Sequence, residues 1–451
     1  MRRRISGYLT GDNYASRAFR GSALTVFSFG AENVLRLGSN LILTRLLFPE
    51  AFGIMALIQV VLSAAAMFSD FGIRGSIVQD ERGADPDFLN TAWTLQVLRG
   101  GVLCAAVFLL AEPVAAFYDT PQLAELLQIS ALVPALQGFN STGLALANRT
   151  IQLGRVTALT LGVQICSILV MIALAWWLRS VLALVVGGVF GAALLAALSH
   201  VVLKGQRNRF AFDGDSARRL FGFGKYVFLS TLAAFFINQG DKLILGKFVS
   251  LEDLAIYNIG FMLAGMPLML AMMLSDRVVF PLYARRPPAA HPENRRKINK
   301  ARILLRAGLL GTAGALALVG DPLIRLLYDV RYEQAGAVVT LIALAMLPRL
   351  ITISYERMPL ASGHSGRFAI MTIVRSLVQL GLLLFGVMNF GVLGAILAPA
   401  AAIFLTYPLQ LWIIWPYRGW HAQHDLMFAV AGGVIAILTL WLHWPVVSPL
   451  F

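Results

Sequence analysis

Long apolar stretches dominate the chain, and polar residues mark the loops between them. A membrane-spanning helix needs about 20 predominantly apolar residues. The pattern predicts spanning helices over 22–46, 51–70, 88–111, 122–146, 156–178, 181–203, 226–247, 253–274, 303–320, 334–356, 367–388 and 391–415, with a thirteenth candidate over 426–444. The runs are continuous and do not alternate as barrel strands do. The predicted fold class is therefore an all-α integral membrane protein.

A weak internal repeat divides this pattern into halves. The segment LILTRLLFPE at 41–50 returns 202 residues later as LILGKFVSLE at 243–252. Each copy ends one apolar stretch, crosses a short loop and starts another. Both halves also contain an apolar helix with a proline, Pro134 or Pro348, followed by a short turn and a Gly-Arg pair. The repeat predicts two parallel, pseudo-symmetric six-helix bundles around a central cavity.

This division predicts five segments along the chain. They are a basic cytoplasmic N-terminus (1–21), an N-terminal six-helix lobe (22–203), a basic cytoplasmic linker (204–225), a C-terminal six-helix lobe (226–415) and a C-terminal tail (416–451) that contains the candidate helix 426–444.

The distribution of positive charge predicts the orientation. The net charge is +14, yet only 13% of residues are charged and 58% are hydrophobic. If the N-terminus is cytoplasmic, the loops on that side carry 27 Lys and Arg residues and the opposite loops carry 5. Such a bias is typical of the positive-inside rule. The basic charge therefore predicts contact with anionic membrane lipids and gives no reason to expect nucleic acid as a partner.

Charged and amide side chains inside the predicted spans are the candidates for function, because burying them in lipid is costly. The predicted cavity residues are Glu32, Arg36, Asn40, Arg99, Asn238, Asp241, Lys242, Arg349 and Arg375. Guanidinium groups favour phosphate or carboxylate, so the ligand is predicted to be anionic. Purely structural roles stay open. Glu32 and Arg36 can pair along one helix face, Arg99 can pair with Asp70, and Lys242 and Arg349 can extend to the membrane surfaces.

The sequence offers no sign of an enzyme site. No His, Cys and Asp cluster has the spacing of metal ligands, and no glycine loop is built for phosphate. No catalytic residue, metal or cofactor is predicted, with Na⁺ or H⁺ coupling at Glu32 or Asp241 as the one candidate ion requirement.

The run Arg45-Leu46-Leu47-Phe48-Pro49-Glu50-Ala51-Phe52-Gly53-Ile54-Met55-Ala56-Leu57 resembles the first-loop signature of Wzx-type oligosaccharide flippases. These belong to the multidrug/oligosaccharidyl-lipid/polysaccharide (MOP) superfamily. Ser69-Asp70-Phe71-Gly72-Ile73 and the two Gly-Arg pairs are similar to that family as well. The resemblance implies a transporter of the bacterial inner membrane. It would move undecaprenyl-diphosphate-linked oligosaccharide by alternating access and pass it to polysaccharide polymerase or export machinery.

Two other functions stay open at this point. A multidrug cation antiporter of the same superfamily would need a dominant buried acid, and Glu32 and Asp241 are the candidates for it. A membrane polysaccharide polymerase or transferase would need carboxylates or histidines at one membrane face. The longest predicted outer loop, 320–333, is short and mixed in charge.

Overall fold

A computed structural model describes residues 14–69, 72–150, 153–203 and 207–450. The side chains of 14–26, 153, 221–230 and 450 are outside that description, as is most of the predicted N-terminal segment 1–21. Every regular element in the described ranges is helical. The predicted all-α fold class is confirmed.

The chain divides into two compact units, Met1–Leu232 and Ala233–Phe451. The helices that begin in the first unit are α1 (Tyr14–Leu46), α2 (Pro49–Phe68), α3 (Ile73–Gln79), α4 (Pro86–Phe117), α5 (Gln122–Ser130), α6 (Leu132–Gly138), α7 (Gly143–Arg149), α8 (Leu153–Leu178), α9 (Leu182–Val202) and α10 (Gly214–Phe248). The second unit contains α11 (Leu251–Ala264), α12 (Met266–Leu274), α13 (Phe280–Arg285), α14 (Pro292–Leu327), α15 (Ala335–Ala345), α16 (Leu347–Glu356), α17 (Met358–Ala361), α18 (Ser365–Ile414) and α19 (Ala422–Val447).

Among the described residues, eight helical stretches are long and apolar enough to cross a membrane. A ninth is obtained if the pair Val330–Ala345 and Leu347–Ala361, bent by 42°, is one broken span. The thirteenth candidate, seen here as α19, is one of the eight. The predicted count of twelve is not reached by this criterion. Helices α1 and α10 carry six of the nine polar candidate residues and fall outside this criterion, as do the short helices α5, α6 and α7.

The repeated segment has the same local structure in both units. Helix α1 ends at Leu46 and α2 begins at Pro49, while α10 ends at Phe248 and α11 begins at Leu251. Both boundaries are therefore shifted by the 202 residues of the sequence repeat. Proline starts the first of the two following helices. In the second, the Ser250 hydroxyl caps the helix by accepting from the Asp253 amide at 3.0 Å.

Each unit also contains a helix broken into three pieces before its Gly-Arg pair. Residues 122–146, predicted as one helix, form α5, α6 and the first part of α7, and the second unit has α15, α16 and α17. The middle piece carries a proline near its start in both units, Pro134 or Pro348. A proline there has no amide to donate to the preceding turn, which favours the break.

A segment of the predicted linker is attached to the first unit. The backbone amides of Arg209, Ala211 and Asp213 donate to the side chains of Asn90, Thr94 and Thr91 on α4, respectively. Asp213 then caps α10, because its carboxylate accepts from the hydroxyl and amide of Ser216. These hydrogen bonds lower the pKa of Asp213. The chain thus enters α10 from a fixed direction.

Helix α18 is two helices joined by a tight reversal. A straight helix of 50 residues would measure about 75 Å, more than twice a bilayer's hydrocarbon thickness. Gly391, with φ 54° and ψ −130°, breaks the helix, and the chain returns so closely that the Gly386 and Gly394 backbones touch. The break lies at the boundary between the two predicted spans 367–388 and 391–415.

We predict that Gly394→Ala destabilises the protein and that Gly381→Ala does not. A Cβ at position 394 would lie 2.0 Å from the Gly386 carbonyl oxygen, whereas position 381 has no atom within 4 Å. The expected loss for Gly394→Ala is about 1–3 kcal/mol. Thermal unfolding of both variants in detergent measures this difference, and equal stability would contradict the close contact.

Candidate functional site

A cavity of about 640 Å³ lies inside the first unit. Its wall is formed by α2, α3, α4, the broken helix and the cytoplasmic halves predicted for α8 and α9. The lining combines apolar residues with amides, hydroxyls and two guanidinium groups, and its polar members are Gln59, Ser63, Arg74, Gln96, Arg99, Gln137, Asn140, Ser141, Thr142 and Thr160. None of the described lining residues is an Asp or Glu. The charged groups among these described lining residues are therefore all cationic.

Arg99 is held against the end of α2. Its Nε donates to the Ser69 hydroxyl at 2.9 Å, and its Nη2 donates to the Ala66 carbonyl at 2.6 Å. The last carbonyls of a helix carry a partial negative charge and have no partner within the helix. The side chain is thereby fixed in the cavity wall. The residue predicted as its structural partner, Asp70, lies outside the described residues.

Arg74 is the second cationic group of the cavity and was not identified from the sequence. It is exposed on α3, and none of the described residues gives it a hydrogen bond or an ion pair. Gly72, at φ 66°, turns the chain into α3, where Ile73 and Ile77 are buried. The charge count had assigned Arg74 to a loop. The four-residue spacing of Ile73 and Ile77 after a glycine was the signal for a short helix.

The amides around these guanidinium groups are ordered by the break in the helix. Gln96 Nε2 donates to the carbonyls of Gly138 and Asn140 at 2.9 and 3.0 Å. These carbonyls lie at the break and have no partner within the helix. Close approach of α4 and α6 makes this contact feasible, since the backbones of Gly100 and Gly138 touch. Amides and hydroxyls so placed can bind sugar hydroxyls, while the arginines bind an anionic group.

The α1 candidates do not form the ion pair that the sequence allowed. Glu32 accepts from the Ser28 hydroxyl at 3.0 Å, and Arg36 donates to the Asn33 side chain at 2.8 Å. Four-residue spacing permits an ion pair, but each side chain is hydrogen-bonded instead to another polar residue of α1. Arg36 is exposed, and Glu32 and Asn40 are half-buried on the same helix. Neither Glu32, Arg36 nor Asn40 lines the 640 Å³ cavity.

Three of the second-unit candidates meet in a smaller cavity of about 60 Å³ that is lined by Asn238, Asp241 and Arg349. Asp241 is 5% exposed, and its Oδ2 accepts from the Tyr257 hydroxyl at 2.6 Å. Its Oδ1 is buried with no hydrogen-bond partner among the described residues. The Lys242 ammonium lies 5.1 Å from the Phe261 ring centroid, and Lys242 is not part of the lining. The Asp241 Oδ1 thus offers an acceptor for a proton or a small cation, beside the Arg349 guanidinium that lines the same cavity.

Arg375 forms a buried ion pair with Glu356. The Arg375 Nη1 donates to the Glu356 carboxylate, and the two side chains are 5% and 12% exposed. The pair joins α18 to the end of α16. Its charge is thus neutralised by a partner that the sequence did not indicate, and Arg375 lines neither of the cavities described above.

Comparison with known proteins places these features in context. A family model described as polysaccharide biosynthesis protein matches residues 42–336. The lipopolysaccharide biosynthesis protein WzxC of Escherichia coli (strain K12) is 21% identical over 313 residues, which are 69% of this chain and 63% of that protein. The teichuronic acid biosynthesis protein TuaB of Bacillus subtilis (strain 168) is 21% identical over 262 residues, which are 58% of this chain and 51% of that protein. The chain thus spans about half to three-fifths of these relatives.

A solved structure shares the fold. The lipid II flippase MurJ, in an inward closed conformation, superimposes with a TM-score of 0.72 over 93% of this chain and 92% of that chain, at 13% identity. At this identity the likeness concerns the fold alone. It agrees with the MOP-superfamily fold that the sequence resemblance implied.

We predict that Arg375→Ala destabilises the protein, because it removes the ion-pair partner of the buried Glu356 carboxylate. The expected loss is about 3–5 kcal/mol. The double variant Arg375→Met with Glu356→Leu should recover part of it, because both charges of the pair are removed, although the buried Arg349 then loses the attraction of the Glu356 carboxylate. Thermal unfolding in detergent measures both. A stable Arg375→Ala protein that no longer transports its substrate would contradict the structural role.

Proposed function

The chain belongs to the polysaccharide biosynthesis protein family, and we propose that it is a flippase for lipid-linked oligosaccharide. The substrate is a sugar repeat unit joined through a diphosphate to undecaprenol. The protein moves it from the cytoplasmic to the outer leaflet of the bacterial inner membrane, with its own N-terminus in the cytoplasm. Polysaccharide polymerase or export machinery then receives the repeat unit. The observation that carries this proposal is the cationic, amide-lined cavity of the first unit.

The residue types of that cavity match the parts of such a substrate. Arg74 and Arg99 offer two planar guanidinium groups, which bind phosphate oxygens by charge and by paired hydrogen bonds. Gln59, Gln96 and Gln137 suit sugar hydroxyls. A volume of about 640 Å³ is in the range of small-molecule binding sites. The polyprenyl chain needs no cavity, because it can remain in the surrounding lipid during transport.

Cationic drugs fit this cavity less well. A cation antiporter would desolvate a positive ligand beside two guanidinium groups, with no described carboxylate in the lining to compensate. An anionic diphosphate reverses the sign of that interaction. It also experiences the membrane potential, at about 2.3 kcal/mol per charge per 100 mV. With the cell interior negative, the potential drives an anion outward, which is the direction of export.

We propose Asp241 as the coupling site, in the small cavity of the second unit. The Oδ1 oxygen has no hydrogen-bond partner, while the Tyr257 hydroxyl holds Oδ2 in place. Binding of Na⁺ or H⁺ would supply the missing partner. The Glu32 carboxylate, by contrast, already accepts from Ser28 and lies in neither cavity, so it is the weaker candidate.

Arg99→Ala and Arg74→Ala are each predicted to reduce export of the repeat unit while leaving protein level in the membrane unchanged. Loss of a hydrogen-bonded charge contact corresponds to a decrease of about 10- to 100-fold in binding. The measurement is restoration of surface polysaccharide in cells that lack the chromosomal copy. Arg218→Ala is the matched control, because Arg218 is equally basic, exposed and outside the cavity. Full export by the double variant Arg74→Ala, Arg99→Ala would contradict the proposal.

Asp241→Asn is predicted to remove the response to the coupling ion. Purified wild-type protein should unfold at a higher temperature in NaCl than in an equal concentration of KCl, and the variant should not distinguish the two salts. If H⁺ is the ion, transport rather than stability should lose its dependence on the proton gradient. Glu32→Gln is the control, because it makes the same acid-to-amide change on α1, outside the small cavity. An ion response that persists in Asp241→Asn and disappears in Glu32→Gln would assign coupling to α1 instead.

A further inference from the structure

A buried cluster of charges in the second unit contains more positive charge than its carboxylate can balance. Arg302 and Arg306 lie one turn apart on α14 and are 3% and 1% exposed. Their guanidinium carbons each lie 4.7 Å from the centroid of the Tyr355 ring. Asp425, at the start of α19, is the acid of the cluster, and its Oδ1 pairs with Arg306 Nη1 at 2.6 Å.

Asp425 has no capacity left for Arg302. Besides Arg306, its Oδ1 accepts from the Tyr355 hydroxyl at 2.6 Å. Its Oδ2 accepts from the Tyr407 hydroxyl at 2.6 Å and from the Trp420 indole at 3.0 Å. Four donors thus satisfy this carboxylate. The arrangement connects α19 to α14. The negative charge of Asp425 balances Arg306 and leaves none for Arg302.

Arg302 is left without a counter-charge. One terminal nitrogen, Nη2, donates to the Asn299 side chain. Its Nε and Nη1 are buried with no acceptor, and no carboxylate of the described residues forms an ion pair with it. The Tyr355 ring offsets part of this charge through its negative face. A buried guanidinium with two unused donors nevertheless remains unfavourable unless an anion joins it.

A cavity of about 60 Å³ adjoins this guanidinium. Apart from Arg302, its lining is entirely apolar and consists of Leu274, Val278, Val279, Leu282, Ile298, Ala301 and Leu305. One wall is the π-helical turn Ser275–Val279, a geometry found often at functional sites. Val278 in this wall is 52% exposed, so apolar surface continues outward from the cavity. A free inorganic anion would bind beside Arg302 but gain nothing from the apolar wall.

We propose that Arg302 and this cavity bind the phosphate of an anionic phospholipid. The phosphate oxygens accept from Nε and Nη1 of Arg302, and a short hydrocarbon segment next to the phosphate enters the cavity. The rest of the lipid lies outside, along the exposed surface around Val278. The nearby Arg295, Arg296 and Lys297 on the first turns of α14 raise the local concentration of anionic lipid. This site is separate from both cavities assigned to transport.

The experiment compares three additions to the purified full-length protein in neutral detergent: phosphatidylglycerol, phosphatidylcholine and inorganic phosphate. Native mass spectrometry counts retained lipid, and thermal unfolding measures the shift. Phosphatidylglycerol should be retained and should raise the unfolding temperature, whereas phosphatidylcholine should do neither. Arg302→Gln should weaken phosphatidylglycerol binding by about tenfold or more. Lys300→Gln is the matched control, because Lys300 is an exposed cation on the same helix and outside the cavity.

A second variant keeps the test decisive if Arg302→Gln fails to fold. Ala301→Phe fills the cavity and leaves the guanidinium in place, and it should also reduce phosphatidylglycerol retention. Stabilisation by inorganic phosphate alone, lost in Arg302→Gln, would assign the site to a free anion and overturn the lipid part. Equal retention of phosphatidylglycerol by the wild type, Arg302→Gln and Ala301→Phe would overturn the whole inference. None of these readouts depends on transport, so they are independent of the proposed function.

Discussion

A charge inside a bilayer must be neutralised, hydrated or bound, and this constraint organises the structure. Where a partner exists within the fold, the charge becomes a structural connection. Glu356 neutralises Arg375 between α16 and α18, and Asp425 neutralises Arg306 between α14 and α19. Removing one member of such a pair strands the other in a medium that solvates it poorly. The helices of the second unit are therefore positioned by polar contacts as well as by packing.

The same constraint identifies the groups that are available to ligands. Arg74 has no partner among the described residues and faces a cavity, and the Oδ1 of Asp241 is buried without a donor. Two guanidinium groups in an amide-lined cavity of the first unit suit a diphosphate-linked sugar. A lone carboxylate oxygen in a small cavity of the second unit suits a cation or proton. The two arginines of the first cavity and the Asp241 carboxylate of the second, which Arg349 also lines, thus lie in separate cavities, as expected if substrate and coupling ion bind at different places.

Periodicity and repetition predicted much of the architecture. The repeat at 41–50 and 243–252 located two helix boundaries in each unit, and the apolar stretch 426–444 located α19. Three of the site candidates, Asn238, Asp241 and Arg349, meet in one cavity. The pairings themselves were not predictable. Glu356 is 19 residues from Arg375 and Asp425 is 119 from Arg306, and no local spacing rule relates such partners.

Arg74 illustrates a different limit. Its charge was counted in a loop predicted to be cytoplasmic, but charge counting cannot separate a residue that sets topology from one that faces a cavity. The break in the helix whose carbonyls bind Gln96 could not be predicted either, because 122–146 is apolar enough to be one continuous span. Tertiary contact of α4 with α6 decides both the break and the cavity, and a single sequence carries little information about that contact.

The measurement that tests the central claim most directly is the leaflet location of undecaprenyl-linked oligosaccharide in cells that lack this protein. A membrane-impermeant reagent that modifies glycans can distinguish the two leaflets. If the protein is this flippase, complete repeat units accumulate on the cytoplasmic side, out of reach of the reagent, and surface polymer is lost. Normal access of the reagent to the repeat units, with normal surface polymer, would contradict it.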